Sequence, residues 1–288
     1  MDGFLIIDKP LGYTSRDVVN HVSKVLKTKK VGHTGTLDPN ASGVLIIVVG
    51  KALKLIELMN DDDKEYMAEV ILGIETDTLD TDSNATILRS ENVNLDDVVI
   101  RDTVASFKGT YMQEVPKYSA VKVNGRKLYE YARNNIPVEL PKREVDIKAI
   151  DIIGDIKREN GRIVFKIKTT VSKGTYIRSL VRDIGVKLNV PAVMNTLVRT
   201  RIGKLSLDDA YSLDDIMNGN YHLITITDMF NEISTIPVDN DTALKVSNGV
   251  IFDNLFNDNL AFITDDNGKL LALYKLENGK NRPYKVFV

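Results

Sequence analysis

Alternation of apolar and polar residues constrains the fold of this chain more than any other feature of its sequence. Residues 66–72 and 163–171 place an apolar side chain at almost every second position, which predicts half-buried β-strands. Residues 4–7 and 44–49 are continuous apolar runs and predict buried strands. Helical spacing of apolar residues recurs between these strands, and we predict an α+β fold built on a mixed or antiparallel sheet.

The other elements follow from the same periodicities. Thr14 or Ser15 can cap a first helix that ends near Leu26. Residues 74–84 and 109–126 contain turn-forming residues and are expected to be irregular. Further helices are predicted at residues 51–58, 95–107, 128–134 and 176–188, and further strands at residues 145–153, 260–263, 270–275 and 284–288.

A boundary between two domains is predicted near residues 225–240, at the end of an acid-rich stretch (residues 206–234) that holds six acidic residues and no lysine or arginine. The larger domain is expected over residues 1–234 and a small β domain over residues 235–288. Asp265 to Gly268 carry a hairpin signal inside the second domain.

The composition excludes several classes of site. The chain has no cysteine and three histidines, so disulfides, thiolate nucleophiles, iron–sulfur clusters and cysteine zinc sites are excluded and no metal site is predicted. No apolar run approaches the roughly 20 residues of a membrane span. The first residues lack the pattern of a signal peptide. We therefore expect a cytoplasmic protein with no membrane partner.

The charge of the chain is segregated along the sequence. The formal net charge of −2 argues weakly against nucleic acid as a partner. However, residues 142–205 hold fifteen basic against six acidic side chains, whereas residues 57–102 hold three against fourteen. A partner senses the local field rather than the sum, so the basic stretch remains a candidate surface for nucleic acid. The acidic stretch is expected to face away from it.

The loop from Gly32 to Asp38 concentrates glycine, histidine, threonine and aspartate directly before a buried strand. A phosphate-binding P-loop is excluded because the Gly-Lys-Ser/Thr element is missing. Pro39 holds the backbone of Asp38 in an extended conformation and so fixes the direction of its carboxylate, which suits a catalytic group. A tight turn in which Asp38 caps a following helix remains the alternative.

Three other residues, Arg178, Arg182 and Tyr66, each have a structural and a functional interpretation. Arg178 and Arg182 share one face at the start of a predicted helix, which favours an anion or forms a solvated basic face. Tyr66 is a catalytic candidate or a core residue. His33 on its own is interpreted as a loop histidine hydrogen-bonded to the backbone.

Two further tracts mix cations with polar or aromatic residues. Lys122 lies in the tract 116–126, and Arg199 and Arg201 lie in a second tract. Both fit a surface that meets phosphates and stacked bases. Ordinary solubility charge is the alternative.

The segment from Lys30 to Leu45, KVGHTGTLDPNASGVL, resembles the signature of the TruB-type tRNA pseudouridine synthases. Residues 235–288 resemble the small PUA β-barrel domain, with weaker cues. Supporting segments follow in the order of the family at residues 8–10, 64–66, 73–80, 116–125, 174–185 and 197–203.

The resemblance implies a catalytic role for three residues. Asp38 matches the catalytic aspartate of the family. Arg178 matches the arginine that pairs with it. Tyr66 matches the tyrosine that stacks on the target base and is the candidate for proton transfer.

The resemblance also implies contacts around these residues. Tyr176 and Leu197 match positions in the wall of the active site, and Lys9 matches a structural lysine near it. His33 matches a residue that contacts the RNA loop around the flipped uridine. Val198 stands where the family often has arginine, which puts one phosphate contact in doubt.

The implied activity is the isomerisation of uridine to pseudouridine at position 55 in the T loop of tRNA, by an aspartate nucleophile acting on a flipped base. The reaction needs no redox step and no phosphoryl donor, so no cofactor is expected. The expected partner is the T stem-loop, bound by a monomer. A non-catalytic module that binds or folds tRNA is the alternative, and a metal-dependent hydrolase would need ligands that this sequence scarcely offers.

Overall fold

The structure, a computed structural model, describes residues 1–59, 62–82 and 84–287. Its strands are β1 (Gly3–Lys9), β2 (Val31–His33), β3 (Ala41–Val49), β4 (Lys64–Leu72), β5 (Ile74–Thr76), β6 (Ile87–Ser90), β7 (Gly109–Glu114), β8 (Lys122–Val123), β9 (Arg126–Lys127), β10 (Lys142–Glu159), β11 (Arg162–Val171), β12 (Ala192–Ile202), β13 (Leu205–Ser206), β14 (Ser234–Val238), β15 (Leu260–Asp265), β16 (Leu270–Glu277) and β17 (Lys280–Val286). Its α-helices are α1 (Ser15–Val25), α2 (Asp97–Ala105), α3 (Leu128–Arg133), α4 (Ile177–Leu188), α5 (Leu213–Asn218), α6 (Ile226–Met229) and α7 (Asn240–Ser247), and 3-10 helices cover Gly50–Met59 and Leu207–Asp209.

A mixed sheet of nine strands lies at the centre of the described part of the chain. Its hydrogen-bonded order is β1–β3–β12–β4–β11–β10–β7, with β2 paired to β3 and β13 paired to β12. The strands are antiparallel to their neighbours except β3 and β12, which run parallel where residues 41–43 meet residues 197–199. The predicted α+β class with a mixed sheet is confirmed.

The alternating segments form strands as predicted, and their apolar sides build the main core. In β4, Tyr66, Ala68, Val70 and Leu72 are buried while the residues between them are partly exposed. Helix α4 covers this face and adds Leu180 to the same core. Each aliphatic side chain buried in this way contributes about 1.5–3 kcal/mol. The site described below lies where β4 and α4 begin.

Several elements differ from the sequence-based expectation. Strand β12 was not predicted, because its polar and basic residues were interpreted as a surface tract. Residues 109–126 were expected to be irregular but contain β7, and residues 74–84 contain β5 and a bridge between Asp80 and Met194. Strand β10 extends well beyond the predicted residues 145–153 on both sides.

The C-terminal strands form a separate four-stranded sheet, in the order β14–β15–β16–β17. The predicted hairpin between β15 and β16 is present, with the Gly268 amide donating to the Asp265 carbonyl at 2.9 Å. Within the described residues the order has two edges, so the expected closed barrel is not found. Val288, the end of one predicted strand, lies outside the described residues.

This smaller sheet shares a core with the first strand of the chain. The ring of Phe230 lies 5.8 Å from that of Phe4 in β1 and 6.2 Å from that of Phe262 in β15. No helix in the described part of the chain has the length and apolar character needed to cross a membrane.

Candidate active site

A cavity of about 330 Å³ opens between the loop after β2, the first residues of β4 and the start of α4. Of the ten residues singled out from the sequence, six line this cavity: Asp38, Tyr66, Tyr176, Arg178, Leu197 and Arg199. The other four, Lys9, His33, Lys122 and Arg201, are not part of its lining.

Asp38 is held in place by the backbone of its own loop. The hydroxyl of Ser15, the first residue of α1, donates to the carbonyl of Leu37 at 3.0 Å and accepts from its amide at 2.9 Å. The Ala41 amide donates to the Asp38 carbonyl at 3.0 Å. The side chain of Asp38 remains 44% exposed, facing the cavity. A fixed backbone therefore presents an accessible carboxylate.

The expected ion pair between Arg178 and Asp38 is present, with Nη2 2.9 Å from Oδ2. Arg178 is only 6% exposed and has further partners. It donates to the carbonyls of Thr78 at 2.9 Å and Tyr118 at 3.1 Å, and its Nη1 lies 3.8 Å from the carboxylate of Asp80. Groups on two other segments thus orient the guanidinium group independently of Asp38.

These additional partners of Arg178 were not identified from the sequence. Thr78 and Asp80 lie in the stretch that was expected to be an irregular acidic loop facing away from the RNA. The Thr78 hydroxyl donates to Asp80 at 2.6 Å and so fixes that carboxylate beside Arg178. Only the folded topology brings these positions together.

Aromatic and aliphatic side chains form the walls of the cavity. Tyr66 and Leu197 are buried residues of the adjacent strands β4 and β12. Tyr176 precedes α4, and the guanidinium of Arg143 lies over its ring at 5.6 Å. Flat and aliphatic walls of this kind suit a planar ring such as a nucleobase.

Arg199 occupies a different position from the surface contact that was expected. It is 2% exposed, and its guanidinium donates to three carbonyls, those of Val44 at 2.8 Å, Gly35 at 3.3 Å and Thr36 at 3.4 Å. From β12 it therefore braces the loop that carries Asp38. Its alternation with buried neighbours in residues 192–202 was the signal that could have indicated this.

Lys9 is fully buried and joins the turn after β1 to the same loop. Its ammonium donates to the carbonyls of Pro10 at 2.9 Å, Tyr13 at 2.7 Å and Pro39 at 3.4 Å. Burial lowers the pKa of Lys9 from 10.5 to about 8, although Asp38 opposes the shift. This position agrees with a structural lysine next to the site.

The remaining predicted contacts lie outside the cavity. His33 is half-buried in β2; burial, with Arg16 and Arg199 nearby, lowers its pKa, which favours the neutral ring. Lys122 is exposed in the β8–β9 hairpin. Arg201 donates to the Gly203 carbonyl at 2.7 Å and lies 3.6 Å from the carboxylate of Glu65.

Comparison with known proteins relates the whole chain to one family. The family model described as TruB family pseudouridylate synthase (N terminal domain) matches residues 23–177. A tRNA pseudouridine synthase B of Bacillus subtilis (strain 168) is 39% identical over 304 residues, covering 100% of this chain and 98% of its own. One of Staphylococcus aureus (strain MRSA252) is 40% identical over 304 residues, covering 99% of each.

Solved structures share the fold. The chain superposes on the crystal structure of a Cbf5-Nop10-Gar1 complex with a TM-score of 0.68 and 25% identity, covering 99% of this chain and 85% of that one. It superposes on an H/ACA RNP bound to a substrate RNA containing 2′-deoxyuridine with a TM-score of 0.67 and 23% identity, with the same coverage. The second likeness supports the fold alone.

Proposed function

The chain belongs to the TruB family of pseudouridylate synthases, and from this premise we propose how its active site works. It is an isomerase that converts uridine to pseudouridine in tRNA. We propose that its target is uridine 55 of the T loop and that Asp38 is the nucleophile. The observation that carries the proposal is the accessible Asp38 carboxylate paired with the buried Arg178 in the cavity.

The reaction defines what the site must do. The bond between N1 of the base and C1′ of the ribose breaks, and the ring rejoins C1′ through C5. The C5 proton then leaves and N1 gains one, so that substrate and product are isomers. The chain's own acidic and aromatic side chains suffice for these steps.

Asp38 begins the reaction in this proposal. Attack on C1′, addition to C6 and elimination to a glycal are three routes, and each needs an ionised carboxylate beside the glycosidic bond. Arg178 supplies the positive charge that accompanies this carboxylate. Because Thr78 and Tyr118 hold the guanidinium, little reorganisation is needed when substrate enters.

Tyr66 acts on the base in this proposal. A uridine inside a folded RNA loop must be extruded, which costs a few kcal/mol and requires a stacking partner. The buried ring of Tyr66 offers that surface. In the final step its phenolic oxygen takes the C5 proton while its own proton is released toward N1. The cavity volume lies at the lower end of the range for small-molecule pockets, which fits a single nucleoside.

The residues outside the cavity would engage the rest of the RNA. We assign His33 to the loop around the flipped uridine, and Lys122 and Arg201 to the phosphates of the T stem-loop. Arg199 and Lys9 act instead by bracing the loop of Asp38. We propose that the enzyme acts as a monomer.

We also propose residues 1–234 as the catalytic domain and residues 235–288 as an RNA-binding unit of the PUA type. The support is that β15, β16 and β17 form a sheet of their own with β14, which begins at Ser234. We expect the protein to protect tRNA from hydroxyl-radical cleavage beyond the T stem-loop. This protection should be lost when the exposed Lys269 of this unit is changed to Glu. An unchanged footprint contradicts the role of Lys269.

Mapping of pseudouridine along a tRNA transcript tests the proposed target. After incubation with the protein, we expect a single modified position, uridine 55, and no product from a transcript with cytidine at that position. Modification elsewhere refutes the assignment to the T loop. Tight binding of tRNA without any pseudouridine supports the alternative, a module that binds or folds tRNA.

A further inference from the structure

A fully buried glutamine joins the edge strand of the central sheet to the start of helix α4. Gln113 in β7 is 0% exposed. Its Oε1 accepts a hydrogen bond from the Tyr176 amide at 2.8 Å, and its Nε2 donates to the Tyr176 carbonyl at 3.1 Å. One side chain thus satisfies both backbone groups of the residue that precedes the helix.

This arrangement replaces an ordinary helix cap. The side chain of Tyr176 makes no capping hydrogen bond, because a phenol ring cannot reach back to the first turn. The Tyr176 carbonyl already accepts the first helical hydrogen bond, from the Leu180 amide at 3.0 Å. The amide of Gln113 therefore sets the direction in which the chain enters α4.

A second set of bonds fixes the orientation of the Gln113 amide. Its Nε2 also donates to the hydroxyl of Tyr111 at 2.7 Å, and that hydroxyl donates to Asp183 of α4 at 3.1 Å. Burial, and then the charge of Asp183, raise the pKa of Tyr111, which keeps its hydroxyl protonated. The hydroxyl oxygen is left as an acceptor, so the nitrogen of Gln113 must face it and the oxygen must face Tyr176.

The helix start held in this way carries two residues of the active site. The ring of Tyr176 lines the cavity, and Arg178, two residues later, meets Asp38. We propose that Gln113 is a positioning residue for pseudouridine formation, whose amide holds the start of α4 where Arg178 meets Asp38. The proposal rests on the function proposed above for that pair.

The test varies the number of hydrogen-bond donors on the side chain at position 113. A protonated carboxyl group has one donor and one acceptor and can replace the amide at Tyr176, whereas an ionised carboxylate only accepts. Burial raises the pKa of a carboxyl group, so both forms can be reached in the assay range. Gln113→Glu therefore changes the hydrogen bonds with pH at almost constant volume, and Gln113→Met removes them at every pH.

Single-turnover rates on tRNA, divided by the wild-type rate at each pH, are the first readout. We expect Gln113→Glu to lie close to wild type at low pH and to fall by about 10- to 100-fold as the carboxyl group ionises. Gln113→Met should stay low throughout, and the Kd for tRNA should change less than about threefold in both variants. If the relative rates of Gln113→Glu and Gln113→Met depend on pH in the same way, the proposal is overturned.

Asn281 supplies the matched control. It is a buried amide of the C-terminal sheet that clamps the backbone in the same way, accepting from the Leu255 amide at 2.6 Å and donating to the Phe256 carbonyl at 3.0 Å. Asn281→Asp should lower stability without a pH-dependent loss of relative rate. An equal loss in this variant means that the effect at Gln113 is only structural, and the proposal fails.

A further variant keeps the test decisive if changes at Gln113 prevent folding. Tyr111→Phe removes the hydroxyl that orients the amide, and we expect the relative rate to fall several-fold with an unchanged Kd. An unchanged rate overturns the proposal. Absence of pseudouridine with the wild-type protein would instead refute the proposed function itself, so the two failures are distinguishable.

Discussion

Arg178 is oriented mainly by groups other than the carboxylate it serves. Two backbone carbonyls, those of Thr78 and Tyr118, accept from its guanidinium, and Asp80 lies beside it. The arginine should therefore keep its position when Asp38 loses its charge. Substitutions of Asp38 then report on chemistry rather than on collapse of the site.

At Tyr66 the ring and the hydroxyl have separable roles. We expect Tyr66→Phe to bind tRNA almost as wild type, because the stacking surface remains. The single-turnover rate should fall by about 10²- to 10⁴-fold, because the group that removes the C5 proton is lost. Tyr221→Phe, outside the cavity, is the control. An unchanged single-turnover rate in Tyr66→Phe would exclude proton transfer by Tyr66 and limit its role to stacking on the base.

Burial of Lys9 predicts a pH-dependent stability. Its folded-state pKa of about 8 lies below its ordinary value of 10.5, so the unfolded chain binds more protons between these values. The free energy of unfolding of the wild type, relative to Lys9→Met, should therefore rise by roughly 3 kcal/mol from pH 8 to pH 10.5. Urea unfolding of both proteins across this window measures it.

Lys157→Met, which removes an exposed lysine, controls for the loss of one positive charge. A flat stability difference between the wild type and Lys9→Met across this window contradicts the burial of a charged amine.

Functional residues that lie in recognisable sequence motifs were predictable. Residues that come close to the site only when the chain folds were not. Asp38 and Arg178 lie in segments whose patterns resemble the family, and their contact was predicted. Gln113 lies outside the segments that resemble the family, and residues 73–80 resemble the family without indicating what Asp80 contacts. Both roles depend on which strand and loop reach the start of α4. A sequence pattern does not show which strand and which loop lie beside the start of α4 in the folded chain.

At the scale of elements, the close approach of β3 and β12 organises the site. Gly43 of β3 has a φ of +105°, and a Cβ on it would lie 2.9 Å from the carbonyl carbon of Arg199. Glycine permits the two backbones to meet where Arg199 turns toward the loop of Asp38. The parallel pairing of these strands thus couples sheet geometry to the catalytic loop.

Gly43→Ala should therefore be strongly destabilising. The added methyl group meets backbone on one side, and its backbone conformation is one that L-residues rarely adopt, so we expect a loss of roughly 2–4 kcal/mol in urea unfolding. Gly268→Ala, with a φ of +77° and open space around it, isolates the conformational cost and should lose about 1 kcal/mol. Equal losses in the two variants contradict the close approach.

How accurately each strand was predicted depended on how regularly its apolar and polar residues alternate. Strands β4 and β11 follow the period of two and were predicted within two residues. Strand β12 carries the buried Arg199 and the partly exposed Arg201, so its pattern favoured a basic surface tract. Buried cations that bond to backbone carbonyls are the physical reason why hydrophobic periodicity failed there.

At the scale of the whole molecule, the charge of a segment does not determine which face it forms. The acidic stretch 57–102 contributes Tyr66 and Asp80 to the site, contrary to the expectation that it faces away. The basic stretch 142–205 contributes Arg178, which is buried. Only exposed cations can meet RNA phosphates, so the RNA surface must be sought among them.

The affinity for tRNA should depend steeply on salt. Each neutralised phosphate contributes about 0.7–0.9 to the slope of log Kd against log salt concentration. We expect Lys122→Ala to reduce that slope by about one such step with little effect on the single-turnover rate. Lys157→Ala, at an exposed lysine of β10 outside the proposed RNA contacts, should leave the slope unchanged. Equal slopes for the wild type and Lys122→Ala exclude a phosphate contact at Lys122.

The Asp38 carboxylate starts the conversion of uridine to pseudouridine in this mechanism, and replacing it by the uncharged amide of the same shape tests that role. Pseudouridine at position 55 of a tRNA transcript is quantified after a single turnover with the wild type, Asp38→Asn and the exposed control Asp214→Asn. We predict full product with the wild type and Asp214→Asn, and none with Asp38→Asn, which still retains tRNA in a gel shift. Product formation by Asp38→Asn at the wild-type rate would exclude Asp38 as the nucleophile.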